Sequence, residues 1–174
     1  WSLWLYTRPA NEVGGDLVDF LRISPERAGL IMADVAGKGL RAALLTAKLQ
    51  ATVRALASDH ESLSDFCCKV NLIFHRDSLP SIFASLLYLE IKPDDGQIRF
   101  VNAGHMPPLI LTAHGIKESS RGELALGLSN KTNYTEQALE LQRGEVLFAY
   151  SDGLTEACNE VGEFYGTERL TKLL

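Results

Sequence analysis

The stretch Asp16-Leu17-Val18-Asp19-Phe20-Leu21-Arg22-Ile23-Ser24-Pro25-Glu26-Arg27-Ala28-Gly29-Leu30-Ile31-Met32-Ala33-Asp34-Val35 decides the architecture. Two apolar runs, Leu17–Ile23 and Gly29–Val35, flank a polar Ser24-Pro25-Glu26-Arg27 turn and predict a β-hairpin. Leu30-Ile31-Met32-Ala33 is apolar on both faces, so this strand is expected to be covered on both sides.

Downstream the period changes. Leu40, Ala43, Leu44, Ala47, Ala51 and Ala55 recur at three- and four-residue steps, predicting a helix to about Ala57 with those residues as its apolar face. A second helix is expected from Ser62, where Ser62 and Asp65 have cap spacing, through Phe66, Val70, Ile73 and Phe74. Strands return at Phe83–Ile91 and Gln97–Asn102, joined by Pro93-Asp94-Asp95-Gly96, then at Pro107–Leu111, Glu136–Leu141 and Glu145–Tyr150. Gly166–Leu174 reads as a last helix. Trp1 and Trp4 alternate with Leu3 and Leu5, as in strand packing or a contact to an upstream segment. A hairpin, two helices and an antiparallel series make an α+β domain, not a doubly wound one.

The chain has 174 residues, 46% hydrophobic and 22% charged, enough for a self-sufficient core. Its net charge of −5 argues against nucleic acid and anionic membranes. The best apolar run, Ile82–Leu89, is too short to insert in a bilayer, and no signal peptide is evident. Cys67, Cys68 and Cys158 read as reduced thiols of a cytoplasmic protein and lack zinc-ligand spacing. The first residue is Trp, so the chain reads as a piece of something longer.

Three segments place aspartates at strand ends: Glu12-Val13-Gly14-Gly15-Asp16-Leu17-Val18-Asp19, Ala33-Asp34-Val35-Ala36-Gly37-Lys38-Gly39, and Ala149-Tyr150-Ser151-Asp152-Gly153-Leu154-Thr155-Glu156. A carboxylate beside a buried strand is costly unless its charge is compensated. Three of them with few neighbouring cations point to a bound metal, and all-oxygen ligands favour Mg²⁺ or Mn²⁺ over zinc. Gly37-Lys38-Gly39 lacks the spacing of a phosphate loop, so Lys38 reads as a solvated lysine.

Together with Pro9-Ala10-Asn11-Glu12 and Asn102-Ala103-Gly104-His105-Met106-Pro107-Pro108, these segments resemble the SpoIIE/RsbU-like branch of the PPM (type 2C) metal-dependent protein serine/threonine phosphatases. The motifs occur in family order over nearly the whole chain. The resemblance implies an α-β-β-α sandwich, two mainly antiparallel sheets flanked by helices, with two Mn²⁺ or Mg²⁺ ions at one end. Asp34 would bridge the ions with the Val35 carbonyl as a further ligand. Asp16 would hold an ion or orient water on it, and Asp152 would ligate one ion. Asp19, Gly15, Asn102, His105, Gly153 and Glu156 are expected around these ligands. Two cations about 3.5–4 Å apart would activate water for attack on phosphoserine or phosphothreonine, so no cysteine nucleophile is needed. Cys158 reads as a small filler beside Asp152. Asn102 and His105 are expected to hydrogen-bond a turn, a general-acid role for His105 being the alternative.

The resemblance also implies a phosphorylated STAS-domain anti-anti-sigma factor as substrate, an upstream sensor or regulatory domain, and a C-terminal strand with an Asp pair beyond Leu174. Residues 1–174 are thus expected to be one C-terminally incomplete phosphatase domain of a longer protein. Oligomeric state stays open, a homodimer among the options. Rival readings are a catalytically impaired phosphoprotein-binding module and a two-metal nuclease, the latter disfavoured by the acidic charge. The helix from Leu40 directly follows Asp34, which makes it a candidate regulatory lever, with Leu44 on its packing face.

Overall fold

The computed structural model describes residues 2–8, 13–92 and 96–174. Trp1, the Pro9–Glu12 part of the first motif and the Pro93-Asp94-Asp95 turn lie outside the described residues. Strand β1 (Asp16–Ser24) pairs antiparallel with β2 (Arg27–Val35) from Ser24↔Arg27 to Asp16↔Asp34. β3 (Ala84–Ile91), β4 (Gln97–Ala103) and β7 (Gln137–Glu140) extend the ladder in the order β1-β2-β3-β4-β7. A second antiparallel sheet has the order β6-β5-β8, from β5 (Leu109–Thr112), β6 (Gly115–Glu118) and β8 (Val146–Phe148).

Strand alternation sorts the larger sheet into two faces. Leu17, Leu21, Ile31, Ala33, Val35, Leu86 and Tyr88 face the helices α1 (Gly39–Leu56) and α2 (Leu63–Asp77). Leu30, Met32, Leu87, Leu89, Ile98 and Phe100 form the opposite face, packed with Leu147 and Ala149 of the smaller sheet. The far side of that sheet is covered by Leu170 of α4 (Thr167–Leu173), with Leu109 and Tyr150. The layers are therefore helix, sheet, sheet, helix, as the resemblance implied, and β2 is covered on both sides.

α2 starts at Ser62, whose hydroxyl accepts the Asp65 N–H at 3.2 Å, and it buries Phe66, Cys67, Val70 and Phe74. α1 has the expected extent but the opposite face. Ala42, Thr46, Leu49 and Val53 are buried, while Leu40 is 69% and Leu44 63% exposed, and Ala47, Ala51 and Ala55 are also exposed. Leu49 and Val53 each gain about 1.5–3 kcal/mol by burial against the sheet, which Ala47, Ala51 and Ala55 on the other side could not match. Leu44 is therefore no packing residue.

β6 and the short helix α3 (Asp152–Thr155) were not anticipated. Residues 2–8 form no strand and Trp4 is 88% exposed, so the strand-packing expectation there is not met. Cys158 is exposed rather than a filler, and none of the three cysteines is in a disulfide. Among the described residues no helix is long and apolar enough to cross a membrane.

Candidate active site

The hairpin register brings the first two motifs together, since Asp16 and Asp34 are cross-strand partners. Both alternate with residues of the helix-facing side (Leu17, Ala33 and Val35), so they lie on the face turned toward the smaller sheet. Ser85 of β3 is the next residue in the same row, opposite Asp34. Asp152 comes from the other sheet, four residues beyond β8 at the start of α3. A cleft of about 230 Å³ opens there, lined by Asp34, Ala36, Phe83, Ser85, Gly104, His105, Met106 and Asp152.

Like charges directly opposite on paired strands repel. Burial first, then the charges of Asp16 and Asp152, push the Asp34 carboxyl up to about 6. Burial and Asp152 also raise Asp16. The three carboxylates thus sense one another with no cation among the causes of either shift. Among the described residues no three His, Cys, Asp or Glu groups form a ready-made metal cluster.

Gly15 sets the local geometry through space, not through an unusual φ. A Cβ there would sit 2.3 Å from the Val35 carbonyl oxygen and 2.8 Å from Asp34 Oδ1. Its own carbonyl accepts the Val35 N–H at 3.1 Å and the Thr46 hydroxyl of α1 at 2.9 Å. Past Ala36 the chain turns into α1 through Gly37 (φ 121°) and Gly39 (φ 70°), a region where glycine has no steric penalty. Lys38 is exposed.

Asp19 is engaged elsewhere. Its carboxylate takes Arg54 Nε at 2.7 Å, Arg54 Nη2 at 2.6 Å and Gln50 Nε2 at 2.9 Å, tying β1 to α1. Burial opposes ionisation there, but the hydrogen bonds from Arg54 and Gln50 prevail and hold the pKa below the ordinary value. Asn102 Oδ1 accepts the His105 N–H at 2.8 Å and Asn102 Nδ2 donates to the His105 carbonyl at 3.1 Å, the turn expected from the motif. His105 is 8% exposed, and burial pushes its imidazole down to about 4. Gly153 and Glu156 are exposed, and the Glu156 main-chain N–H closes α3 onto the Asp152 carbonyl at 2.7 Å.

Ser85 and Phe83 were not anticipated in the cleft, and Ala36 lay within the second motif without a role assigned to it. Ser85 belongs to no motif, and only the β2–β3 register reveals it. Met106 lay within the Asn102–Pro108 motif without a role assigned to it.

Residues 24–174 match the family model described as stage II sporulation protein E (SpoIIE). The chain is 27% identical to phosphoserine phosphatase RsbU of Bacillus subtilis, over 95% of this chain and 50% of that protein. It is 26% identical to protein IcfG of Synechocystis, over 100% of this chain and 32% of that protein. The chain thus spans about a third to a half of the length of these curated relatives. The solved RsbU and RsbW domains of Rv1364c from Mycobacterium tuberculosis superpose with a TM-score of 0.79 at 26% identity, covering 95% of this chain and 46% of that one. A helix–sheet–sheet–helix sandwich agrees with these matches, and the chain belongs to the SpoIIE/RsbU-like branch of the PPM (type 2C) protein serine/threonine phosphatases.

Proposed function

We propose that residues 1–174 act as the phosphatase domain of a longer cytoplasmic signalling protein. It would hydrolyse phosphoserine or phosphothreonine on a regulatory protein, a STAS-domain anti-anti-sigma factor being the substrate the resemblance suggests. The observation that carries this reading is the direct pairing of Asp16 with Asp34, coupled electrostatically to Asp152 from the other sheet.

The donor set fits hard divalent cations, Mn²⁺ or Mg²⁺. It offers only oxygens, it concentrates negative charge, and Gly15 keeps the Val35 carbonyl and Asp34 clear of a side chain. Asp34, with the Val35 carbonyl, would take the central position, with Asp16 and Asp152 on either side. When bound, such ions would activate water and neutralise phosphoryl oxygens. The net reaction adds water to phosphorus, breaks the ester P–O bond and returns the proton to the seryl or threonyl oxygen. Cys67 is a poor alternative nucleophile, since burial raises its thiol well above the ordinary value. Phe83 and Met106 give the cleft an apolar wall against which the side chain bearing the phosphate would rest.

One other reading has an observation in its favour: among the described residues no three His, Cys, Asp or Glu groups form a metal cluster, which suits a binding module that holds the phosphoprotein without turnover. Dephosphorylation of a phosphorylated STAS-domain protein separates the two. Manganese-dependent turnover, abolished by chelation and by Asp34→Asn, is expected of the enzyme. Activity that survives both treatments would sink the metal mechanism, and tight binding with no turnover would favour the module.

A further inference from the structure

His105 links the two halves of the candidate site. Its Nδ1 is 2.8 Å from the Ser85 hydroxyl, and Ser85 is the cross-strand partner of Asp34. Its main chain is clamped on both sides of the peptide by the Asn102 amide. The ring lines the same cleft as Asp34 and Asp152. Its Nε2 is buried without a hydrogen-bond partner.

We propose that His105 is a positioning residue, a strut held by Ser85 on the Asp34 side and reaching toward the Asp152 loop, that sets the separation of the two carboxylates. The inference rests on the metal-dependent reading above. Mutually repelling ligands on separate sheets need a rigid spacer if ions are to find them in place. A hydrogen bond between the buried ring and Ser85, with two between the Asn102 amide and the His105 main chain, supplies one. His105 does this through the groups it anchors and needs no contact with the phosphate.

The test is calorimetric titration of the metal-free protein with Mn²⁺, which reads binding rather than turnover, with urea melts alongside. Ser85→Ala and His105→Gln each break the contact at Nδ1, and weakening of Mn²⁺ binding by roughly five- to ten-fold is expected. His105→Asn keeps an amide near the Nδ1 position and is expected to recover most of the affinity. The Ser85→Ala urea midpoint should stay close to wild type. Wild-type affinity in Ser85→Ala and His105→Gln would overturn the strut, as would an Asn variant no better than the Gln variant. Asp34→Asn is the control: if it binds Mn²⁺ like wild type, the metal reading itself falls, and the strut with it.

Discussion

Asp34 and His105 share a cleft but are perturbed in opposite ways. The Asp34 carboxyl, raised to about 6, holds a proton in the folded protein that an ordinary carboxyl in the unfolded chain has already released. Its contribution to metal-free stability is full below the ordinary carboxyl pKa and is lost as pH rises through 6. His105, lowered to about 4, has the opposite sign: its contribution is full above the ordinary imidazole value and is lost as pH falls toward 4. The two slopes oppose each other in the wild type. Asp34→Asn should uncover a metal-free stability that rises between about pH 4 and 6.5, and His105→Gln one that falls. Each change is on the order of 1 kcal/mol once solvent screening is allowed for. Urea melts across that range check it, and parallel pH profiles for all three proteins would refute the assignment.

At the scale of the element, α1 separates what sequence periodicity conveys from what it hides. Its length was legible because Ala, Leu, Lys and Arg dominate the segment and glycines mark its start. Its face was not, because the spacing gave four alanines the weight of leucine and counted two leucines, Leu40 and Leu44, that the fold leaves exposed. The buried side carries Leu49, Val53 and a threonine whose hydroxyl is bound internally. Leu49→Ala should therefore cost about 2–4 kcal/mol, and Leu44→Ala less than about 0.5 kcal/mol. Equal losses in chemical denaturation would refute the assignment of faces. For a regulatory lever, the packing contacts to alter are those of Ala42, Leu49 and Val53. The hairpin of β1 and β2 was legible, since two apolar runs, a Pro-containing turn and strand-end aspartates agree with one another, although β2 starts earlier, at Arg27, and the register shift between Arg22 and Ser24 was not foreseen. Ser85 was hidden for a different reason: its place beside Asp34 depends on how β3 pairs with β2, which no local pattern encodes. β6 was hidden because Gly115-Ile116-Lys117-Glu118 is short and half polar.

For the whole molecule, the β2–β3 ladder has two electrically opposite ends. Near the cleft, Asp34 faces Ser85 and repels Asp16 and Asp152. At the far end Glu90, opposite Gly29, is 4% exposed yet paired with Arg27 at 2.8 Å and Arg99 at 3.0 Å, and it accepts the Tyr88 hydroxyl at 3.2 Å. Arg99 also reaches Glu136, whose carboxylate accepts the Leu63 N–H at the start of α2, so this pole is internally neutralised and ties the helix layer to the sheet. The fold is thus secured at one end and left with uncompensated charge at the other, as expected where stability is given up for binding. Without metal at neutral pH, Asp34→Asn should stabilise by about 1 kcal/mol. Glu90→Ala should destabilise by about 3 kcal/mol, because two guanidinium groups lose their partner. Mn²⁺ at about a hundred times its Kd should add about 2.7 kcal/mol to the wild type and to Glu90→Ala, and almost nothing to Asp34→Asn. Urea melts with chelator and with Mn²⁺ test all three. If Asp34→Asn were less stable than wild type in chelator, the carboxylates would be structural, and the charged pole would need another explanation than a missing cation.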